Sequence, residues 1–304
     1  MRHGWSCWTL TLALVGVVGC SDNGGQSDGP TPTPDAKVGD HGAPPEARPE
    51  AALPDGPLAD TLATTTEQEP NNGASATDYN TVQVPASITG AIGTPGDLDL
   101  FGVAAQAGDR FAVTLTSDGT LQPHLTIFDP AGKLPTAMNP GPGGTLLAEY
   151  YVLQSAALII GVRDARNVGS GSQNVGGPAF GYTLSLLPLT RAPMNITVGG
   201  QQSASLAPAG TVRVFAFSAG EHDELVLQVL AKQLAPPSDV DSRLSLFYPA
   251  QKAWLGTNDD RTPGAGDSLL QGKMPFAGTY HAIVENEAST IGANLSFTLK
   301  LDKK

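Results

Sequence analysis

The chain has 304 residues, of which 36 are glycine and 25 are proline, while 15% are charged and 6% are aromatic. Its 29 acidic residues against 17 basic ones give a net charge of −12, which argues against nucleic acid as a partner because little would neutralise the phosphates. The same charge disfavours electrostatic docking on anionic lipid headgroups. The composition is typical of a turn-rich, extracytoplasmic protein and does not indicate any particular activity.

The chain begins with a segment typical of an exported lipoprotein. An apolar run over residues 10–18 is too short to span a bilayer and fits the core of a signal peptide. Val17-Val18-Gly19-Cys20 resembles a lipobox, in which cleavage before the cysteine leaves a lipidated residue. We predict a signal peptide over residues 1–19 and lipidation of Cys20, with an ordinary signal peptide as the alternative. Ser21, where an aspartate would favour retention, indicates an outer-membrane or cell-surface location.

The two cysteines leave no thiol chemistry for the mature body. Cys7 lies in the predicted signal peptide, and Cys20 is the predicted lipidation site. The body therefore has no cysteine for a disulfide, a nucleophile or a thiolate metal site.

Residues 20–66 are dominated by proline, glycine, aspartate and alanine. No Phe, Tyr, Trp or Ile occurs between residues 21 and 66, so the segment cannot bury enough apolar area to offset the entropy cost of ordering it. Ten acidic and two basic residues between Ser21 and Glu69 place a charge of −8 here. We predict a disordered acidic tether over residues 20–66, which is either a membrane spacer or a linker of arbitrary length.

Beyond residue 80, short runs of alternating apolar and polar residues are separated by turn residues, which is typical of antiparallel strands. Four segments recur in the same order at offsets of 114, 119, 122 and 115 residues. We predict an all-β fold of two tandem antiparallel β-sandwich domains, over residues 67–190 and 191–304. The matched segments are 99–103 with 213–217, 125–130 with 244–249, 160–164 with 282–286, and 182–186 with 297–301.

Five short motifs of the first copy are specific as an ordered set. They are Glu69-Pro70-Asn71-Asn72, Ile88-Thr89-Gly90-Ala91-Ile92, Gly96-Asp97-Leu98-Asp99-Leu100-Phe101, Ala107-Gly108-Asp109 and Leu125-Thr126-Ile127-Phe128-Asp129-Pro130-Ala131-Gly132. Together they resemble the bacterial pre-peptidase C-terminal domain over residues 67–187. The resemblance implies a jelly-roll-like β-sandwich appended to exported proteins as a non-catalytic module, similar to the collagen-binding modules of bacterial collagenases. The second copy is similar mainly in its strands.

The resemblance also implies a calcium site, because in those relatives an N-terminal acidic segment and a loop aspartate pair hold the ion. Calcium takes about six to eight oxygen ligands of mixed type, and the matching residues here offer carboxylate and amide oxygens. The same residues are also consistent with a linker end, a turn and a loop cap that bind nothing. In the second copy Thr211 and Arg213 stand at the aspartate positions, so we predict calcium in the first domain only. The candidate ligands are Glu67, Glu69, Asn71, Asn72, Asp97 and Asp99.

No arrangement typical of an enzyme is found in the sequence. His124, His222 and His281 occur singly, without the His-Glu-x-x-His or paired spacing of zinc sites. We expect His124 and His281 at the surface or at strand edges. No Gly-x-Ser-x-Gly elbow, Ser-x-x-Lys motif or phosphate-binding loop is present. We predict that the chain is not an enzyme.

These observations favour a non-catalytic, lipid-anchored surface protein that binds an extracellular or envelope protein or polysaccharide. Its contact with the membrane would be the N-terminal lipid on Cys20. Two alternatives stay open, which are an accessory factor of an exported protease or secretion system and an enzyme of unrecognised type. Tyr150, Tyr151 and Trp254 are candidates for either a ligand platform or core packing.

Overall fold

The structure is a computed structural model that describes residues 62–72, 78–117, 119–128, 136–138, 141–262, 264, 266–287 and 293–304. The predicted signal peptide, Cys20 and the predicted tether up to residue 61 lie outside these residues. Apart from two short 3-10 helices, Ala165–Asn167 and Pro249–Gln251, the regular secondary structure of the described part is β-strand, and the predicted all-β fold is confirmed. No helix in these ranges is long and apolar enough to cross a bilayer.

The first module is a sandwich of two five-stranded sheets. Its strands are β1 (Thr64–Thr66), β2 (Asn80–Val82), β3 (Ala86–Ala91), β4 (Leu98–Ala105), β5 (Arg110–Ser117), β6 (Pro123–Phe128), β7 (Thr136–Met138), β8 (Gly144–Tyr151), β9 (Ala156–Asp164) and β10 (Gly181–Pro188). Sheet A has the order β1-β3-β10-β5-β8, and sheet B has the order β2-β4-β9-β6-β7. Alternate residues of both sheets point inward and form one core that includes Phe101, Leu115, Ile160 and Leu184.

The second module is a sandwich of a five-stranded and a four-stranded sheet. Its strands are β11 (Met194–Asn195), β12 (Gly200–Ser205), β13 (Arg213–Ala219), β14 (Glu224–Leu230), β15 (Ser242–Tyr248), β16 (Ala253–Asn258), β17 (Leu269–Lys273), β18 (Gly278–Asn286) and β19 (Ser296–Lys303). Sheet C has the order β11-β13-β18-β15-β16, and sheet D has the order β12-β19-β14-β17. Its core includes Phe215, Leu244, Tyr280 and Phe297.

The strand order of the first module recurs in the second. Sheet C repeats sheet B strand for strand, and sheet D repeats sheet A without a counterpart of β1. The four segment pairs matched in the sequence fall on β4 and β13, β6 and β15, β9 and β18, and β10 and β19. The sequence repeat and the topology therefore give the same residue equivalences.

Two details differ from the sequence expectations. The sandwiches are antiparallel except for three parallel pairs, β1 with β3, β2 with β4, and β11 with β13. Near the start of each module, successive strands belong alternately to the two sheets. Two neighbouring strands of one sheet are therefore joined through a strand of the other sheet, and they can run parallel because no hairpin connects them. In addition, Thr64–Thr66 belongs to sheet A, although these residues fall within the range predicted as tether.

A third apolar cluster joins the two modules. Ala107, Tyr151 and Leu153 of the first module pack on the outer face of sheet C, where Phe247 and Ile283 are buried. The rings of Tyr151 and Phe247 meet edge to face, with centroids 5.3 Å apart. The modules therefore share a dry aromatic contact in addition to their separate cores.

Polar bonds surround this contact. The Arg191 guanidinium donates to both carboxylate oxygens of Glu149, at 3.0 and 2.7 Å. Glu149 also accepts the Val212 backbone N–H at 2.9 Å. The Tyr151 hydroxyl lies 2.9 Å from Nδ1 of His281. The buried Glu149 carboxylate of the first module thus has a charged and a neutral donor, both from residues that follow the first module in the chain.

The structure corrects the expectation for one histidine and shows that two candidate aromatic residues pack in the interior. His124 is only 4% exposed, because its side chain lies on sheet B beside the neighbouring strand rather than at the surface. Tyr150 and Tyr151 are both buried, Tyr150 in the first core and Tyr151 between the modules. Neither tyrosine is exposed as a platform for a ligand.

Candidate metal centre

The candidate centre is built where the described chain enters the first sandwich. The strand β1 runs parallel to β3, and the Glu67 N–H continues this pairing by donating to the Thr89 carbonyl at 3.0 Å. The Glu67 carboxylate then turns back, and its Oε1 accepts the Ala91 N–H at 2.6 Å. Backbone pairing therefore fixes this glutamate at the edge of sheet A.

The next turn of chain joins the other sheet. The Leu100 N–H donates to the Asn71 carbonyl at 2.8 Å, which places Asn71 beside β4. Asn71 is fully buried, and its own N–H donates to Oε2 of Glu69 at 3.1 Å. Backbone bonds thus hold Glu67 against sheet A and Asn71 against sheet B, and Glu69 lies between them in the chain.

Three carboxylates converge at this point. One oxygen each from Glu67, Glu69 and Asp99 lies within 4.8 Å of the others, and among the described residues this is the only such group of three or more acidic, histidine or cysteine side chains. The Tyr182 hydroxyl lies 2.6 Å from Oε2 of Glu67 and 2.6 Å from Oδ2 of Asp99. A phenol has one proton to donate, so one of the two carboxyl groups needs a proton of its own or a neighbouring positive charge.

The electrostatics of the cluster favour added positive charge. Burial raises the pKa of Asp99 well above its ordinary value of 3.8, and the charges of Glu67 and Asp97 add to the increase. Burial also raises the pKa of Glu69, again with a contribution from Asp97. Burial and the two carboxylates raise the pKa of the Tyr182 phenol. Each shift reflects first the loss of hydration on burial, and second the negative charge of the neighbouring carboxylates.

Asn71 has an amide that can face the carboxylates in either of two ways. With its nitrogen toward them, it donates to Oδ1 of Asp99 at 3.2 Å and to Oε2 of Glu69 at 3.1 Å. With its oxygen toward them, the same position adds a fourth oxygen to the group. The side chains therefore provide either an amide donor that partly compensates the carboxylates or an all-oxygen cage of the type that calcium prefers.

A glycine makes room for this arrangement. A Cβ atom at Gly90 would collide with Oε2 of Glu67 and with the hydroxyl of Tyr182. Gly90 belongs to β3 and has no positive φ, so its role is close approach rather than backbone freedom. Any side chain at this position would push Glu67 and Tyr182 apart.

The six predicted ligands divide into three groups. Glu67, Glu69, Asn71 and Asp99 come together, whereas Asn72 is exposed. The Asp97 carboxylate accepts the N–H groups of Gly93 at 3.1 Å and Leu98 at 3.1 Å, so it caps the turn before β4. Whether the converging residues bind calcium stays a prediction.

Tyr182 was missed as a site residue by the sequence reasoning. Its place in the alternating pattern of β10 assigns its ring to the core, where it is buried. The repeat could have identified Tyr182, because the matched residue of the second module is Phe297, which has no hydroxyl. A polar atom at one of two equivalent core positions indicates a local partner for that atom.

The second module lacks every part of the centre that the repeat aligns. Arg213 stands at the position of Asp99 and is buried, and Phe297 stands at the position of Tyr182. Sheet D also has no counterpart of β1, the strand that leads into Glu67. The carboxylate group is therefore specific to the first module.

Comparisons with known proteins give distant likenesses only. No protein-family model matches the chain, and no curated protein matches it. Among solved structures, the pre-peptidase C-terminal domain of Bacillus anthracis collagenase is 11% identical, with a TM-score of 0.30, over 37% of this chain and 99% of that one. A periplasmic inhibitor of g-type lysozyme from Aeromonas hydrophila is 17% identical, with a TM-score of 0.26, over 37% and 100%.

A longer likeness spans both modules. A tandem of two CBM22 domains from Paenibacillus barcinonensis is 9% identical, with a TM-score of 0.20, over 67% of this chain and 82% of that one. At these scores the likenesses carry no argument about activity, and the case for function rests on the geometry of the chain.

Proposed function

We propose that this chain is a non-catalytic, lipid-anchored protein of the cell surface or outer membrane that binds an extracellular or envelope protein or polysaccharide. The observation that carries the proposal is the carboxylate group of Glu67, Glu69 and Asp99 at the point where the chain enters the first sandwich. Such a group joins the end of the leading segment to both sheets of the body. An ion bound there would fix the end of the leading segment to the first sandwich.

Calcium is the ion that the donors fit. Glu67, Glu69 and Asp99 would supply carboxylate oxygens, and Asn71 would supply its amide oxygen, with water completing the coordination. The ion would supply positive charge among the three converging carboxylates. Tyr182 would then donate its single proton to one carboxylate without competition.

The remaining parts of the proposal follow from the sequence. Lipidation of Cys20 would hold the protein at the membrane, and the acidic tether that precedes β1 would keep the two modules at a distance from it. The tight module junction around Tyr151 and Phe247 supports a body that presents its surfaces in a fixed relation. The loops and faces of the two sandwiches would carry the ligand contacts.

The calcium part is tested by thermal unfolding of protein beginning at Ser21, in calcium, in magnesium and in EDTA. A ligand at about 100 times its Kd stabilises the folded protein by about 2.7 kcal/mol. Calcium should raise the midpoint, and Asp99→Asn and Glu67→Gln should each remove the increase. Asp109→Asn is the control, because its carboxylate caps a separate turn by accepting the Gln106 N–H at 2.8 Å. An equal calcium response in Asp99→Asn and the unsubstituted protein would overturn this part.

The binding role is tested by sedimentation with insoluble protein fibres and insoluble polysaccharides, in calcium and in EDTA. The expected result is retention on one polymer class that is saturable and is competed by its soluble fragments. Protein that stays in the supernatant with every polymer, while one exported protease co-purifies with it, would replace adhesion with the accessory-factor alternative. Retention that is lost in Asp99→Asn but kept in Asp109→Asn would link binding to the carboxylate group.

A further inference from the structure

His281 is a partly buried histidine at the junction of the two modules. It belongs to β18, where it lies on the outer face of sheet C beside Phe247. The Tyr151 hydroxyl of the first module lies 2.9 Å from its Nδ1, and the two rings meet edge to face. The repeat aligns His281 with Ile159 of the first module, so the strand pattern by itself does not require a histidine here.

The hydrogen bond at Nδ1 fits a neutral imidazole. Burial raises the pKa of the Tyr151 phenol, so the hydroxyl keeps its proton and can donate it to Nδ1. A protonated imidazole would carry a hydrogen on both ring nitrogens. The Tyr151 hydroxyl would then have to accept a hydrogen bond from His281, and its own proton would need a new acceptor. The contact between the modules is therefore made best by the neutral histidine.

Positive charge already exceeds negative charge beside this bond. Arg110 is the residue opposite Tyr151 on β5, and its buried Nε has no hydrogen-bond partner among the described residues. Its Nη1 donates to the Arg191 carbonyl at 2.6 Å. The Arg191 guanidinium is bound to both carboxylate oxygens of Glu149. Two cations thus share one anion before any charge is placed on His281.

The elements packed against β18 around His281 bring no acidic side chain to balance such a charge. The residues opposite His281 on the two neighbouring strands are Ala216 and Phe247, both of them uncharged. The short helix Pro249–Gln251, which also contacts β18, contains no charged residue.

Two acidic side chains at the junction are engaged elsewhere. Glu285, four residues further along β18, lies 3.8 Å from the Arg243 guanidinium. Asp109 belongs to the turn that precedes β5, and its carboxylate caps that turn by accepting the Gln106 N–H at 2.8 Å. A proton on His281 would therefore add a third positive charge to a partly buried contact that holds a single shared carboxylate.

The protonation of His281 is linked to the closing of the junction. Burial lowers the pKa of His281 below its ordinary value of 6.5, and the Arg110 charge adds to this decrease. A junction that opens returns the side chain to water, where the pKa is again near 6.5. Below pH 6.5 the open form thus binds a proton that the closed form does not bind, so acid favours opening. The shift can reach about tenfold for each pH unit.

We propose that the module junction is an acid-sensitive contact, in which protonation of His281 loosens the packing of Tyr151 on sheet C and lets the two modules move relative to each other. At neutral pH the aromatic contact of Tyr151 with Phe247 holds the modules in one arrangement. This inference goes beyond the proposed binding role, because it concerns when the modules are held together rather than what they bind. It is also independent of calcium at the carboxylate group.

Trp254 gives a direct readout of the junction. It packs against the apolar cluster between the modules, and it is the single tryptophan of protein beginning at Ser21. The test follows its fluorescence from about pH 8 to about pH 5, the range in which a histidine titrates. The emission should shift to longer wavelength below pH 6.5, while the far-ultraviolet circular dichroism stays unchanged because both cores are retained.

Two substitutions of His281 should act in opposite directions. His281→Gln should abolish the acid shift, because an amide oxygen can accept the Tyr151 proton and carries no charge. His281→Lys should place the charge at the junction at every pH and give the shifted emission already at about pH 8. His222→Gln, at a histidine whose side chain is 77% exposed, and His124→Gln are the controls and should titrate like the unsubstituted protein. An emission that does not shift with acid, or an equal shift in His281→Gln, would overturn the proposal.

Hydrogen exchange gives a second readout that does not depend on the tryptophan. Two N–H groups bond across the junction, that of Glu149 to the Gly210 carbonyl at 2.7 Å and that of Val212 to the Glu149 carboxylate at 2.9 Å. Comparing the unsubstituted protein with His281→Gln at the same pH cancels the intrinsic pH dependence of exchange. Both N–H groups should exchange faster in the unsubstituted protein, by up to about tenfold for each pH unit below 6.5. Equal exchange in the two proteins at every pH would show that His281 does not control the junction.

Discussion

The two modules have the same strand order but opposite chemistry at equivalent positions. Where the first module has Asp99 and Tyr182, the second has Arg213 and Phe297, all four of them buried. The first module thus holds converging carboxylates that call for positive charge, while the second replaces the hydroxyl with an aromatic ring that packs edge to face on Phe215. Equivalent strands therefore place side chains at the same positions in both modules, but the charges of these side chains can differ.

The same comparison holds on the outer faces. Phe128 and Phe247 occupy equivalent positions on sheets B and C, yet one is exposed and the other is covered by the neighbouring module. Phe247 is covered because residues of the first module, Ala107, Tyr151 and Leu153, pack on sheet C. Exposure of a repeated residue is therefore decided by its neighbours rather than by its own strand.

The sharpest way to test this comparison is to truncate both phenylalanines. Phe247→Ala should lower the free energy of unfolding by about 3–5 kcal/mol, because it leaves a cavity in the module junction. Phe128→Ala should lower it by only about 1–2 kcal/mol, because the Phe128 ring is 37% exposed and is partly buried beside Leu98 and Leu100. Urea unfolding, followed by circular dichroism at low protein concentration, measures both values. Similar losses for the two variants would mean that Phe128 is covered within a single chain.

The next largest effect concerns the ion pair beside the junction. Glu149→Ala should lower the free energy of unfolding by about 3 kcal/mol, since it leaves the Arg191 guanidinium without its partner at 2.7 Å. Asp302→Ala breaks the surface pair with Lys300 and should cost well under about 1 kcal/mol. The fluorescence of Trp254, which packs at the junction, should shift in Glu149→Ala and not in Asp302→Ala.

A smaller effect is expected when the first module is given the residue of the second. Tyr182→Phe removes the shared donor from Glu67 and Asp99, and in EDTA it should cost about 1–3 kcal/mol at neutral pH. The loss should be smaller in calcium, if the ion takes over the role of the donor. Thermal unfolding in both conditions checks this, and an unchanged midpoint in EDTA would mean that the hydroxyl does not stabilise the cluster.

The smallest effect at neutral pH comes from His124, whose repeat counterpart is Arg243. Burial lowers the pKa of His124 from its ordinary value of 6.5 to about 4, and the Arg163 charge adds to this decrease. Between pH 6.5 and about 4, His124 is therefore protonated in the unfolded chain and neutral in the folded chain. The free energy of unfolding that is present above pH 6.5 decreases as the pH falls toward 4. His124→Gln should flatten this part of the stability profile. An unchanged acid loss in that variant would assign it to other groups.

Much of this architecture could be predicted from the sequence, since strand alternation and the repeat depend on local spacing. The segment pairs at offsets near 115 residues fall on equivalent strands, and Glu67, Glu69, Asn71 and Asp99 do converge. The spacing of two residues predicted that Asp97 and Asp99 point to the same face, but the structure gives them different roles. Asp97 precedes β4 and binds turn N–H groups, whereas Asp99 lies within the strand and faces the interior.

The amino-acid sequence by itself determined the fold class, the duplication and the acidic character of the leading segment, because periodicity and composition are local properties of the chain. Only the tertiary structure decided that Tyr182 joins Glu67 to Asp99, across 115 and 83 residues of sequence. It also decided that Phe247 is covered while Phe128 is open. Contacts of this kind depend on which strands and modules become neighbours, and that is set by packing rather than by the pattern of any one segment.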